Sequence, residues 1–60
     1  MLDLKLLRVK NKHMTQVELS KESKVNRATI SAIENGKLPS ITTAKKIADV
    51  FKIDWRCFYD

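Results

Sequence analysis

The sequence is poor in residues that interrupt helices or crosslink chains: its 60 residues include one glycine, one proline and one cysteine. With only Gly36 and Pro39 to break the backbone pattern, the composition argues against an all-β or loop-rich chain and favours helices joined by short turns. The lone Cys57 can form neither an intrachain disulfide nor a cysteine-based zinc site. His13 has no ligand-spaced carboxylate or cysteine around it. We therefore expect no metal and no cofactor.

Long apolar runs are also missing. No stretch approaches the roughly 18 apolar residues of a membrane-spanning helix, and the N-terminal MLDLKLLRVK lacks the apolar core of a signal peptide. The hydrophobic residues, 43% of the chain, suffice for one core in a chain near the lower size limit of a domain. We expect a single domain over residues 1–60, in the cytoplasm and with no membrane partner.

Negative charge is scarce relative to positive charge. Twelve lysines and arginines stand against seven aspartates and glutamates, which gives a net charge of +5. Such a balance favours an anionic partner, most often nucleic acid and sometimes a membrane surface. Composition alone does not decide between them, because many small soluble proteins are equally basic.

Helix signals recur along the chain, and no segment alternates as a strand would. Thr15 is followed three residues later by Glu18, which is the pattern of a capping box at a helix start. The other predicted N-caps are Asn26, Ser40 and Asp54. Gly36 supplies a left-handed residue at the end of the third helix.

These signals predict five short helices. The first four cover about 3–11, 15–23, 26–35 and 41–52, and a short last helix follows Asp54 and holds Trp55, Phe58 and Tyr59. The first helix has one apolar stripe at Leu4 and Leu7 and a second at Leu2, Leu6 and Val9. We expect an all-α, compact five-helix bundle whose first helix is apolar on two sides.

The third predicted helix has an unusual outward face. At about 100° per residue, Ile30 and Ile33 share the buried side. The opposite side carries small uncharged residues, with Arg27 at its edge: Ala28, Ser31, Ala32 and Asn35. A bare face of this kind lets another molecule approach the backbone closely. Only SKVN separates this helix from the one before it, which indicates a helix-turn-helix.

From Leu4 to Phe58 the chain resembles the XRE family, the helix-turn-helix domains of the phage Cro and cI repressors and their bacterial relatives. The resemblance is carried by an ordered set: TQ at the start of the second helix, Leu19, Val25, Ile30 and Ile33, ENG, and KIADVFKID. Two departures are Lys24, where the family usually has glycine, and a first turn, VKNKHM, that is one residue longer than usual. The resemblance implies a lambda repressor-like fold.

The resemblance also implies that the third helix enters the major groove of DNA. The family's base-reading positions fall on Asn26, Arg27, Ala28 and Ala32. Arg27 is the main candidate, because a guanidinium can bind O6 and N7 of guanine together; the alternative is that it binds a phosphate. The alanines can contact only thymine methyls, and Asn26 is a helix cap first.

The family's phosphate-binding positions fall on Gln16 and Asn35. Further candidates are polar residues that are otherwise simply solvated: Thr15, Ser31, Lys37, Ser40 and Thr43. Glu34 lies beside the buried face and is a poor DNA ligand. As in some relatives, it is expected to pair with Arg8 and so to bridge the first and third helices.

The C-terminal aromatic residues have two interpretations. Trp55 and Phe58 are spaced to close the core, but the family commonly dimerises through this end, so Trp55, Phe58 and Tyr59 are candidate dimer-interface residues. The leading hypothesis is a non-enzymatic, sequence-specific transcriptional regulator, a repressor that binds double-stranded operator DNA as a homodimer without a small-molecule ligand. The alternative is a protein-interaction module, such as an antitoxin, whose main partner is a protein.

Overall fold

Residues 2–59 form four α-helices and a closing 3-10 helix. The computed structural model describes residues 2–59, except for the side chain of Lys12. The α-helices are α1 (Leu4–Lys12), α2 (Gln16–Ser23), α3 (Arg27–Glu34) and α4 (Ile41–Phe51), and the 3-10 helix is Trp55–Phe58. No strand occurs within residues 2–59. The all-α prediction is confirmed.

The predicted five-helix bundle is matched in part, because the last element is a 3-10 turn and not a fifth α-helix. The segment after Asp54 is a single 3-10 turn: Cys57 N–H donates to the carbonyl of Asp54, and Tyr59 N–H to that of Arg56, each three residues back. A four-residue element is too short to gain from the cooperative bonding of an α-helix, so the tighter pattern is favoured.

Every helix begins at a side-chain cap. The predicted caps all accept a backbone hydrogen bond in the first turn: Thr15 from Glu18, Asn26 from Ala28, Ser40 from Thr43 and Asp54 from Arg56. Asp3 does the same for α1 at 3.1 Å from the N–H of Leu6. Each bond satisfies one of the donors that a helix start leaves unpaired.

Helix ends use left-handed residues, and three of them are not glycine. Gly36 has φ 105° after α3, as predicted, while His13, Lys24 and Lys52 have φ 51°, 60° and 56°. Lys24 therefore adopts a left-handed conformation although it is not glycine. A side chain in this region costs about 1 kcal/mol.

The core lies where α2, α3 and α4 meet. Leu19, Ile30 and Ile47, one from each helix, are fully buried. Leu4 of α1 and Phe58 of the 3-10 helix close it from two further directions. The buried Ile30 and Ile33 attach α3 to the domain by one side, so its other side is left outward.

The second apolar stripe of α1 is only partly buried: Leu2 is half-buried and packs against the core. Leu6 is 49% exposed and Val9 is 44% exposed, whereas Leu4 and Arg8 on the opposite side are buried. This helix therefore has an outer side on which Leu6 and Val9 are about half exposed. None of the helices described is long and apolar enough to cross a membrane.

Replacing Lys24 with glycine is expected to raise the free energy of unfolding by about 1 kcal/mol, because glycine adopts positive φ without a Cβ clash. Urea denaturation followed by circular dichroism measures the change. Lys21→Gly is the matched control inside α2, and it should lower stability by about 1 kcal/mol. A Lys24→Gly variant less stable than wild type would contradict the conformation of this turn.

The capping box of α2 predicts a pH dependence. The hydrogen bond from the Thr15 backbone N–H, helped by the Thr15 hydroxyl, lowers the pKa of the exposed Glu18 carboxyl. A lowered pKa in the folded state stabilises the fold above the ordinary glutamate pKa, and this contribution is lost as the pH falls through the lowered value. Thermal unfolding from neutral to acidic pH should show this loss in wild type but not in Glu18→Gln. Glu22→Gln, which removes an exposed carboxylate elsewhere on α2, should keep it; equal curves for wild type and Glu18→Gln would refute the contribution.

Candidate nucleic-acid interface

The outward side of α3 is small and bears one charged residue at its edge. Arg27, Ala28 and Asn35 are exposed, and Ser31 and Ala32 are half-buried. Ile30 and Ile33 on the other side are in the core. We call the set Arg27, Ala28, Ser31, Ala32 and Asn35 the outer α3 face. Because its central side chains are short, a partner can approach the helix axis more closely here than at a face of lysines and glutamates.

Sequence reasoning missed Thr29, which is also exposed on α3. At about 100° per residue, Thr29 lies about 200° from Arg27 around the helix, which is about 160° by the shorter way. It is therefore on the other edge of the outer α3 face. The polar side chain of Thr29 and its position next to Ile30 in the sequence were the features that could have indicated its exposure. The face thus has a polar hydroxyl on one edge and a guanidinium on the other.

At the start of α3, Asn26 is a helix cap. Its side-chain oxygen accepts a hydrogen bond from the backbone N–H of Ala28 at 2.8 Å. The side-chain oxygen is therefore used by the helix cap. The side-chain N–H groups of Asn26 are the donors available to a partner. Arg27 follows as the first helical residue and is exposed.

The start of α2 holds a complete capping box. The N–H of Glu18 donates to Thr15 Oγ1 at 3.1 Å, and the N–H of Thr15 donates to Glu18 Oε1 at 2.9 Å. The next backbone N–H groups, those of Gln16 and Val17, are the first-turn donors that this box does not use. Such groups, with the helix dipole behind them, favour an anion.

A buried ion pair joins α1 to α3, as predicted. Arg8 Nε donates to Glu34 Oε2 at 2.9 Å, and the two side chains are only 10% and 7% exposed. A second guanidinium nitrogen lies 3.3 Å from Glu34 Oε1, and a third donates to the carbonyl of Met14. The carboxylate faces the interior network rather than the surface.

Gln16 also belongs to this network, which sequence reasoning did not anticipate. Its Nε2 donates to Glu34 Oε1 at 3.0 Å. The two residues are eighteen positions apart in the chain. No local pattern signals such a contact, because it depends on how α2 and α3 cross.

The remaining phosphate candidates lie between the end of α3 and the start of α4. Asn35 is the C-cap of α3, with its backbone N–H directed to the carbonyls of Ser31 and Ala32. Lys37 is exposed in the following loop. Ser40 accepts from the N–H of Thr43 at 3.2 Å and its hydroxyl lies 3.0 Å from that of Thr43. The structure brings Ser40 and Thr43 together in the first turn of α4.

The three aromatic candidates at the C-terminal end differ in exposure. Phe58 is 3% exposed and belongs to the core, so it presents almost no area to a partner. Trp55 is half-buried, packs edge-on against Tyr59 with ring centroids 6.0 Å apart, and has Lys45 Nζ 5.4 Å from its ring centre. Tyr59 is 39% exposed and its hydroxyl donates to the carbonyl of Pro39.

The contact between Tyr59 and Pro39 extends the exposed apolar area. It brings the Tyr59 side chain to the loop before α4. Leu38 in this loop and Ile41 at the start of α4 are 52% and 54% exposed. We call Leu38, Ile41, Trp55 and Tyr59 the C-terminal patch. Exposed apolar side chains grouped on a surface are typical of an interaction site.

Comparison with known proteins identifies the family. The model of the helix-turn-helix family matches residues 4–56. The uncharacterized HTH-type transcriptional regulator YqaF of Bacillus subtilis is 38% identical over 50 residues, which are 82% of this chain and 66% of the relative. No solved structure matches the chain. The chain therefore belongs to the XRE-type helix-turn-helix family, a family of DNA-binding transcriptional regulators.

Proposed function

We propose that the chain is a sequence-specific regulator of transcription that inserts α3 into the major groove of operator DNA and acts as a repressor. The observation that carries the proposal is the outer α3 face, which is small, accessible and attached to the core from behind by Ile30 and Ile33. The net charge of +5 favours the polyanion. Family membership supports DNA as the partner.

Arg27 is proposed as the principal base-reading residue. It is exposed at the first position of α3, which in this docking geometry is the part nearest the base edges. A guanidinium that binds O6 and N7 of guanine discriminates by about 1–3 kcal/mol. Ala28 and Ala32 would contact thymine methyls, and Asn26 would donate from its amide. Specificity therefore depends mainly on one side chain in each protomer.

The phosphate contacts are proposed to fix the orientation of α3. Gln16 and Asn35 are the main residues, since one lies at the start of α2 and the other at the end of α3. The supporting polar residues are those of the sequence prediction: Thr15, Ser31, Lys37, Ser40 and Thr43. Contacts of this kind position the protein but carry no sequence information.

A homodimer is proposed to supply the discrimination that one protomer lacks. Trp55 and Tyr59 of the C-terminal patch would form its interface, since Phe58 is already buried. Such a dimer would present two copies of α3 about 34 Å apart, one turn of DNA. Because each protomer would discriminate between base pairs at its own half-site, the free energies of discrimination would add in the dimer.

The chain is further proposed to act in the cytoplasm as one domain over residues 1–60, by binding and not by catalysis. A second candidate function, binding of a protein partner in the manner of an antitoxin, is favoured by one observation: the exposed Leu6 and Val9 on the outer side of α1. It predicts no DNA binding at physiological salt and a protein partner recovered by pulldown.

Arg27→Ala distinguishes base reading from phosphate binding. Enrichment of randomised duplexes by wild type should reveal a preferred guanine that the variant no longer selects, with a loss of about 1–3 kcal/mol on the preferred duplex. Fluorescence anisotropy at several salt concentrations is the second measurement: wild-type binding should weaken steeply with salt, and the slope should stay unchanged in the variant.

Lys5→Ala is the control, because it removes the same unit charge from α1 and should leave the selected sequence unchanged. A uniform loss of affinity with a slope reduced by about one would make Arg27 a phosphate contact. Unchanged affinity and preference would remove it from the interface.

The dimer is tested by sedimentation velocity. Tyr59→Glu should shift the dimer of the wild-type chain toward monomer, because a carboxylate would have to be buried in the interface. Leu6→Glu places the same charge on the exposed side of α1 and should leave the dimer intact, while circular dichroism verifies that both variants fold. A wild-type chain that stays monomeric on DNA, or a dimer that only Leu6→Glu disrupts, would contradict the C-terminal patch as the interface.

A further inference from the structure

The carboxylate of Glu34 connects three elements of the fold. It accepts from Arg8 of α1 through both oxygens, and Oε1 also accepts from Gln16 at the start of α2 at 3.0 Å. Glu34 itself is the last residue of α3. With a side chain only 7% exposed, it is directed away from any molecule on the outer α3 face.

This contact determines which way the Gln16 amide faces. An ionised carboxylate only accepts hydrogen bonds, so the amide must present its NH2 group to Glu34 and not its carbonyl. One N–H is used by Glu34. The second N–H of the same nitrogen diverges from the first by the fixed geometry of a planar amide. Gln16 is half-buried, so part of the residue lies at the surface.

We infer that Glu34 is a positioning residue for DNA binding: it holds the Gln16 amide so that its second N–H is donated to a phosphate. The inference rests on the proposed DNA-binding function. Glu34 touches no DNA and acts through Gln16. Without it the flexible glutamine side chain would have to be ordered at the moment of binding, which reduces affinity.

Arg8 makes this arrangement compatible with a polyanion. A lone carboxylate near the start of α2 would repel a phosphate. The negative charge of Glu34 is balanced by the Arg8 guanidinium, which lies 2.9 Å away. The Arg8–Glu34 pair is thus close to neutral toward DNA. What remains of its effect at the surface is the direction of the Gln16 donor.

The alternative is that Glu34 matters only by holding the helices together. A double-mutant cycle separates the two roles, because an effect transmitted through Gln16 must vanish when Gln16 is gone. Removing Glu34 alone would leave the buried charge of Arg8 unpaired and could unfold the domain. The pair is therefore replaced as a unit, Arg8→Met with Glu34→Leu, which leaves the net charge unchanged.

The probe is a mixed-sequence DNA duplex of about 20 base pairs, roughly two helical turns, at low salt. Phosphate contacts operate on any sequence, so no operator is needed. Gln16→Ala and the Arg8→Met/Glu34→Leu pair should each weaken binding about two- to tenfold, the effect of one hydrogen bond. The triple variant should bind no more weakly than the weaker of the two.

Losses that multiply in the triple variant, or wild-type affinity in the pair replacement, would overturn the inference. If the pair replacement does not fold, the wild-type chain decides the matter by NMR. On addition of the duplex, one of the two Gln16 side-chain amide protons should shift strongly; if neither moves, the inference fails. A wild-type chain that binds no duplex at low salt would instead refute the proposed function itself.

Discussion

The buried ion pair between Arg8 and Glu34 is the interaction on which the rest of the structure depends. It ties α1 to α3, reaches α2 through Gln16 and holds the turn before α2 through the carbonyl of Met14. A chain of 60 residues has only a small core to resist distortion. Breaking such a pair by removing one partner costs about 3–5 kcal/mol, which is comparable to the whole stability of a small domain. The relative placement of α2 and α3 therefore depends on a polar contact as well as on Ile30 and Leu19.

That placement explains why one helix face could be left bare. Ile30 and Ile33 supply the attachment of α3, so Ala28 and Ala32 are free to be small. Small side chains on the outer α3 face let a partner approach the helix closely. They also provide little base specificity, because a methyl group discriminates little among bases. On the proposed function, base recognition would depend mainly on the Arg27 guanidinium, and a second protomer would present it twice.

The parts of the fold that were predictable from the sequence are those controlled locally. The caps at Thr15, Asn26 and Ser40 follow from a side chain and the next few residues, so their positions could be read directly. The 3-10 form of the last helix was not predictable, because the choice between bonding patterns depends on the length of the segment and its packing. The contact of Gln16 with Glu34 was also not predicted, because it depends on how α2 and α3 cross. The Arg8–Glu34 pair was predicted only from the family resemblance.

On the proposed function, DNA contacts the outer α3 face and the start of α2 together. A titration of the 15N-labelled chain with duplex DNA, followed by 1H–15N correlation spectra, tests it most directly. Binding in this mode is expected to shift the backbone amide signals of residues 15–17 and 26–32 first and most, while those of residues 5–9 on α1 stay in place. Shifts centred on Leu6 and Val9, or an unchanged spectrum at low salt, would contradict it.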